Sequence, residues 1–302
     1  MFHRQLSRNF ASLVVAIGAT SVFIAAAPTQ PPKAPSASAA GKHFLWKVTD
    51  ASAPFYILGS IHALRGSDYP IGAAIDDAIG QCKRFVFEYD FEHVDSRAFS
   101  RKLNDAGHYP SGTNLRQKVS PKTYAAVQKI AKVRASAYDD VKPWAIGFMM
   151  YGNTNMHDLY GYYGVESYVR RKSRAYADVG GLETAEEHIH VLSDMSDIES
   201  EVFLLQSIVY GDRHTKSFGE AVRAWKTGDT HGLARMDSQE DREAPFIVQR
   251  MVTKRNANWI PKIEGEMKTG TPTMIVVGAR HLCGPYSVID LMRAKGHRLE
   301  QL

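Results

Sequence analysis

Two stretches, FYILGSIH at Phe55–His62 and TMIVVGARHLCG at Thr273–Gly284, have the same form: an apolar run, then Gly-x-x-His. An unbroken apolar run of this length reads as a buried strand. Glycine allows a sharp turn where such a strand ends. The imidazole of His62 or His281 then sits in the crevice at the carboxyl end of the sheet, where open α/β sheets place ligands. One Gly-x-x-His is a weak signal. A second, more than two hundred residues later and again after a buried run, marks a functional edge. Between them RFVFEYD, Arg84–Asp90, adds a third β-branched and aromatic run with Glu88 near its end.

Outward from these stretches, His43–Val48 alternates and stops at Thr49-Asp50. With Phe55–Leu58 it predicts a hairpin looped across Ala51–Pro54. Ile71, Ile75, Ala78 and Ile79 recur at helical spacing before Gly80. Helices are expected over Pro121–Val133, Pro143–Met150, Gly164–Lys172, Ala185–Leu192, Ser196–Val209, Ser217–Thr227, Phe246 to Lys268 and Tyr286–Lys295. Further strands are expected over Ala175–Val179, Thr273–Val277 and Arg298–Leu302. The pattern describes an α/β fold: a single three-layer domain with a mixed central sheet, strand–helix units at both ends and a helical insertion in the middle.

Composition narrows the function classes. The 302 residues are 44% hydrophobic and 23% charged, which excludes a disordered chain and a polytopic membrane protein. Two cysteines exclude a disulfide scaffold and a Cys-rich zinc module. Lys+Arg 37 against Asp+Glu 32 gives a net charge of +5, but residues 1–40 carry Arg4, Arg8 and Lys33 with no acid. The rest is therefore almost balanced, so no nucleic-acid partner is expected. No P-loop, dinucleotide fingerprint or serine elbow is present.

Residues 1–27 place Arg4 and Arg8 before an apolar run that ends in small residues, the form of a signal peptide. The run is also long enough for an N-terminal anchor, which needs about 17–25 residues. Residues 28–41 are Pro/Ala/Ser-rich and read as a linker. The folded domain is expected over 42–302, exported to the periplasm or cell envelope, with membrane contact only through an uncleaved N-terminus.

Two imidazoles and a carboxylate at one sheet edge suit a borderline transition metal. The same trio could equally act as a base with its orienting groups. These residues also resemble those of the TraB/GumN family, through FLWKVTDASAPFYILGSIH near the start and GARHLCGPYSVIDLMRAKGH near the end. Lys142-Pro143-Trp144, Gly164-Val165-Glu166, Gly181-Leu182-Glu183-Thr184, Trp225-x-x-Gly228-Asp229 and Arg255-Asn256 with Trp259 fall in order between them. That family is related to the Tiki membrane proteases, and more distantly to erythromycin esterase and the haem-binding ChaN proteins. The resemblance implies a metal-dependent hydrolase cleaving a peptide or a related small amide or ester. His62, Glu88 and His281 would hold the ion, with manganese or cobalt implied. A non-catalytic peptide- or haem-binding envelope protein of the same fold is the alternative. Ser60 and Glu166 stand where the family usually has threonine and aspartate, so a geometry-critical role for Glu166 is not assumed.

Glu183 and Arg255 are further candidates, Arg255 because its planar fork suits a carboxylate or an oxyanion. Each has a plainer reading, Arg255 as cover for apolar surface and Glu183 as part of helix capping around Thr184. The run Glu186–His190 (EEHIH) reads as a solvated helix face, since residues two apart do not face each other. Tyr160, Tyr162, Tyr163 and Tyr168 read as a packing surface or a groove wall. Cys82 precedes Glu88 by about 20 Å of strand, which argues against a bond to Cys283.

Overall fold

Strands β1 (Leu45–Val48), β2 (Phe55–Ser60), β3 (Arg84–Tyr89), β4 (Asp178–Glu183), β5 (Thr273–Gly278) and β6 (Leu299–Gln301) form one mixed sheet in the order β4-β3-β5-β2-β1-β6. The computed structural model describes residues 41–131, 138–152, 161–173, 177–236 and 238–302. The leader and nearly all of the linker, Tyr160, residues 132–133 and residues 175–176 lie outside the described residues. β2 and β5 are buried at every position, as continuous apolar runs require. They pair in parallel, with Ser60 opposite Gly278. β5 also pairs in parallel with β3, and β3 with β4, where Tyr89 lies opposite Glu183. The expected hairpin forms, with β1 antiparallel to β2 and to β6. Because β5 inserts between β2 and β3, the carboxyl ends of the three strands lie side by side.

The helices that frame the site are α1 (Ala73–Gln81), α2 (Ser96–Gly107), α3 (Pro143–Gly152), α4 (Val165–Lys172), α5 (Ala185–Ser193), α6 (Asp197–Lys226), α7 (Lys254–Lys268) and α8 (Val288–Ala294); the expected helix at Pro121–Ala131 also forms, with shorter segments elsewhere. α1 buries Ile75, Ala78 and Ile79, and α7 buries Trp259, Ile260 and Ile263 against β4, β5 and α8. The sheet core takes in these groups with Phe44, Trp225 and the strand interiors. A second apolar cluster joins α2, α3, α5 and α6 through Phe99, Leu103, Trp144, Ile189 and Leu204. It is the core of the helical middle. Together these make one α/β domain. Among the described residues no helix is long and apolar enough to cross a membrane.

Four elements differ from their expected form. The two helices expected around Gly211 are one, α6, because a lone glycine costs only about 1 kcal/mol relative to alanine. Buried Leu204 and Tyr210 before it, and Val222 and Trp225 after it, anchor both halves. β4 extends to Glu183 through Gly180-Gly181, a pair that looks like a strand break. Both glycines are there for space: a Cβ on Gly181 would fall 2.3 Å from the Asp90 amide nitrogen, and one on Gly180 2.7 Å from Arg84 Nη2. α2 was not expected; Asp95 caps it by accepting from the Arg97 and Ala98 amides. The helix expected from Phe246 to Lys268 carries a π turn at Gln249–Thr253. Cys82 and Cys283 are both free and buried, and burial pushes the Cys82 thiol up to about 12.

Candidate active site

Gly59 and Gly278 do not adopt positive φ, so the expected sharp turn is not what these glycines supply. Gly278 supplies room. A Cβ there would lie 3.2 Å from Glu88 Oε1, 3.5 Å from His62 Nε2 and 3.6 Å from His281 Cδ2. The three side chains predicted to meet at the sheet edge therefore converge on one bare Cα. The Gly278 amide also donates to Glu88 Oε1 at 2.8 Å.

His62 faces outward, its side chain 45% exposed, and its Nδ1 is 2.6 Å from Glu166 Oε1. Ser60 donates its hydroxyl to the same oxygen at 2.5 Å. α4 carries Glu166 and follows its cap residue Gly164, whose Cα lies so close to His62 that a Cβ would clash with the His62 carbonyl oxygen. The Val165 amide donates to the Ile61 carbonyl at 3.0 Å. The Glu166 charge, opposed by burial, raises the His62 imidazole to about 9. Gly164→Ala is expected to cost about 1–3 kcal/mol as an overpacking change, read by urea melts, and to return His62 toward an ordinary histidine pKa as Glu166 is displaced.

His281 is buried and set by other partners. Its Nδ1–H donates to Asn256 Oδ1 at 2.6 Å, and its ring lies 4.4 Å from the Trp259 ring, centroid to centroid. Burial, reinforced by Arg255, pushes this imidazole down to about 3, against the pull of Glu88. The two histidines thus divide, one protonated and one neutral at pH 7. In a histidine NMR titration the His62 proton is expected to leave near pH 9, while His281 stays neutral down to about pH 3. The His62–Glu166 pair contributes fully to stability below about pH 6.5, the unfolded histidine value, and the contribution is lost as pH rises through about 9.

Arg255 binds the site together from the first turn of α7, next to the π turn; such turns recur at functional sites. Its Nε and Nη2 form a two-bond clamp on Glu183, at 2.7 and 2.9 Å. Nη2 also donates to Glu88 Oε2 at 2.6 Å, and Nη1 to the Met251 carbonyl at 3.2 Å. Nη1 also lies 3.3 Å from His281 Nε2. The guanidinium stacks over Trp259, whose indole N–H donates to Glu183 at 2.9 Å. Burial alone would raise Glu88 and Glu183. For Glu88, Arg255 outweighs this and holds the carboxyl well below the usual range. Hydrogen bonds from His188 and Arg255 lower Glu183 to about 2. Thr184 and Glu187 make the cap of α5 on their own, leaving Glu183 free to face inward.

A resident divalent cation would need three open donors. Glu88 gives both oxygens to the Gly278 amide and Arg255, and His281 Nε2 already faces the Arg255 guanidinium. His62 Nε2 stays open. Among the described residues no group of three His, Cys, Asp or Glu side chains is arranged to hold a metal ion. The donor set as it stands does not fit the expected ion.

Sequence reasoning missed four contributors. Glu166 was left without a role because its extra methylene departs from the family pattern, yet it reaches His62. Asn256 could have been found as the residue beside Arg255 that turns toward His281. His188 was placed on a solvated face; instead its Nδ1 lies 3.0 Å from Glu183 and its ring stacks on Tyr89 at 4.5 Å. His190 and Glu186 on the same helix do face solvent, paired with Asp194 and Lys102. Ser60 was noted only for standing where the family usually has threonine, yet its hydroxyl reaches Glu166.

The chain is 21% identical over 285 residues to an uncharacterized protein of Treponema pallidum (strain Nichols), covering 86% of this chain and 83% of that one. No solved structure matches. Residues 44–301 match the TraB/PrgY/gumN family, from the first residues of the hairpin to the last strand. With both Gly-x-x-His strand ends inside that span, the chain belongs to the TraB/PrgY/gumN family.

Proposed function

We propose that this chain is an exported hydrolase that cleaves a peptide or a related amide or ester at the His62–Glu88–His281 centre. The observation that carries the reading is the convergence of Glu88 Oε1, His62 Nε2 and the His281 ring on the bare Cα of Gly278, beside the outward-facing His62. A water there attacks the scissile carbonyl and passes a proton to the Glu88–His281 pair. Their Oε1 and Nε2 lie 3.7 Å apart. The His62 imidazolium, its charge held by Glu166, donates a proton to the leaving amine or alcohol. Environments that push two histidines apart are the pattern of an acid and a base sharing one site. Arg255, with its nitrogens committed to Glu88 and Glu183, positions the carboxylate.

A metal-assisted form, as the family resemblance implies, would need Arg255 to release Glu88 and His281 Nε2; only the tethering of the two imidazoles suits it. Each imidazole has its Nδ1 tied to a neighbour, the arrangement that prepares Nε2 as a ligand. The deciding experiment runs a panel of quenched fluorescent peptides and aryl esters against wild type and His62→Ala/His281→Ala. Turnover by wild type alone, kept after chelation and dialysis, is the expected result. Loss on chelation, restored by manganese or cobalt, would move water activation to an ion. Equal turnover by wild type and the double variant would overturn the site. Export rests on residues 1–27 and is tested by accumulation of a processed chain in a periplasmic fraction.

A further inference from the structure

Five large apolar side chains are exposed among the described residues: Ile130, Tyr162, Ile198, Val209 and Tyr286. The two aromatic ones sit on the two segments that hold the histidines. Tyr162, 58% exposed, belongs to the turn Gly161–Tyr163 that runs into Gly164, the residue packed on the His62 carbonyl. Its ring is held in place, edge-on to Tyr163 at 5.3 Å with the Arg171 guanidinium 4.1 Å above it. Arg171 also donates to the Tyr162 carbonyl while remaining exposed. Tyr286, 67% exposed, follows the second Gly-x-x-His. Its carbonyl accepts at 2.9 Å from Asn256 Nδ2, the amide group whose oxygen orients His281.

Tyr286 has φ +60°, the one positive φ outside glycine among the described residues. Such a conformation costs about 1–3 kcal/mol, persists only where the surrounding structure holds it, as Asn256 does here, and recurs at functional sites. A solvated ring gains no packing to offset that cost. Aromatic rings exposed on pinned backbone beside a reactive centre are suited to stacking on a ligand, and a cation over one of them adds charge selection.

We propose that Tyr162 and Tyr286 are the two walls of the substrate path, gripping a peptide on either side of the centre. Arg171 recognises a carboxylate side chain on the Tyr162 side. The location of the scissile bond between the walls rests on the hydrolase reading; the binding does not.

The test uses two dye-labelled heptapeptides identical except for Glu-Glu or Lys-Lys at the centre. Binding to the full chain is read by fluorescence anisotropy, and peptide integrity by mass spectrometry afterwards. The Glu-Glu peptide is expected to bind about tenfold tighter than the Lys-Lys peptide, the scale of one favourable charge contact. Tyr162→Ala and Tyr286→Ala should each weaken both peptides about tenfold, while Tyr→Phe at either position retains binding. Arg171→Gln should remove the preference and keep the Lys-Lys affinity. Thermal melts confirm that each variant is folded. Equal binding of the two peptides, no binding, or alanine variants that bind as wild type would overturn the proposal. Binding without cleavage would leave the clamp standing and remove the hydrolase reading.

Discussion

Arg255→Met is expected to lower the unfolding free energy by about 3–5 kcal/mol, measured as a shift in the urea midpoint at pH 7. The guanidinium is buried and offsets two carboxylates, Glu88 and Glu183, that are themselves largely withdrawn from water. Without it, both charges stay in the interior with only hydrogen bonds for compensation. Arg255→Met/Glu183→Gln should therefore recover part of the loss, which simple loss of packing volume would not predict. The pH dependence has a definite sign. Glu183, lowered to about 2 in the folded chain, contributes stability above about pH 4.3, its unfolded value. That contribution disappears as pH falls through about 2. In Arg255→Met much of it is already gone, so wild type and variant should converge on acidification.

His281→Ala and His62→Ala are each expected to lower kcat about 10²–10⁴-fold on whichever substrate of the panel wild type cleaves. Because the two act on one proton inventory, the double variant should lose little more than the worse single one. Independent contributions would instead multiply. The pH profile separates them: the alkaline limb near pH 9 belongs to His62 and should vanish in His62→Ala while persisting in His281→Ala. An alkaline limb that survives in His62→Ala would assign the acid to another group.

The centre of the fold was legible because its signals are local. β2, β3 and β5 are continuous apolar runs, and a residue at the end of each points to the same edge whatever the intervening chain does. Glu183 and Arg255 were reachable only through family resemblance, since nothing in helix periodicity says that a buried arginine will meet two strand-end carboxylates. His188 failed for a related reason. Helical geometry correctly showed that it could not share a face with His190, but not which face turned inward; that was decided by Tyr89 and Glu183 on neighbouring strands. The Gly180-Gly181 strand was hidden because its glycines answer to Asp90 and Arg84, and space between strands leaves no periodic trace.

The place of β5 between β2 and β3 also sets an order of events during synthesis. Thr273–Gly278 lies in roughly the last tenth of the chain, and until it arrives β2 and β3 have no common neighbour. His281, the bare Gly278 Cα and the bond from Gly278 to Glu88 all come with it. A ribosome-bound or truncated chain lacking this segment would hold two unpaired parallel edges, with His62 and Glu88 parted from their third partner.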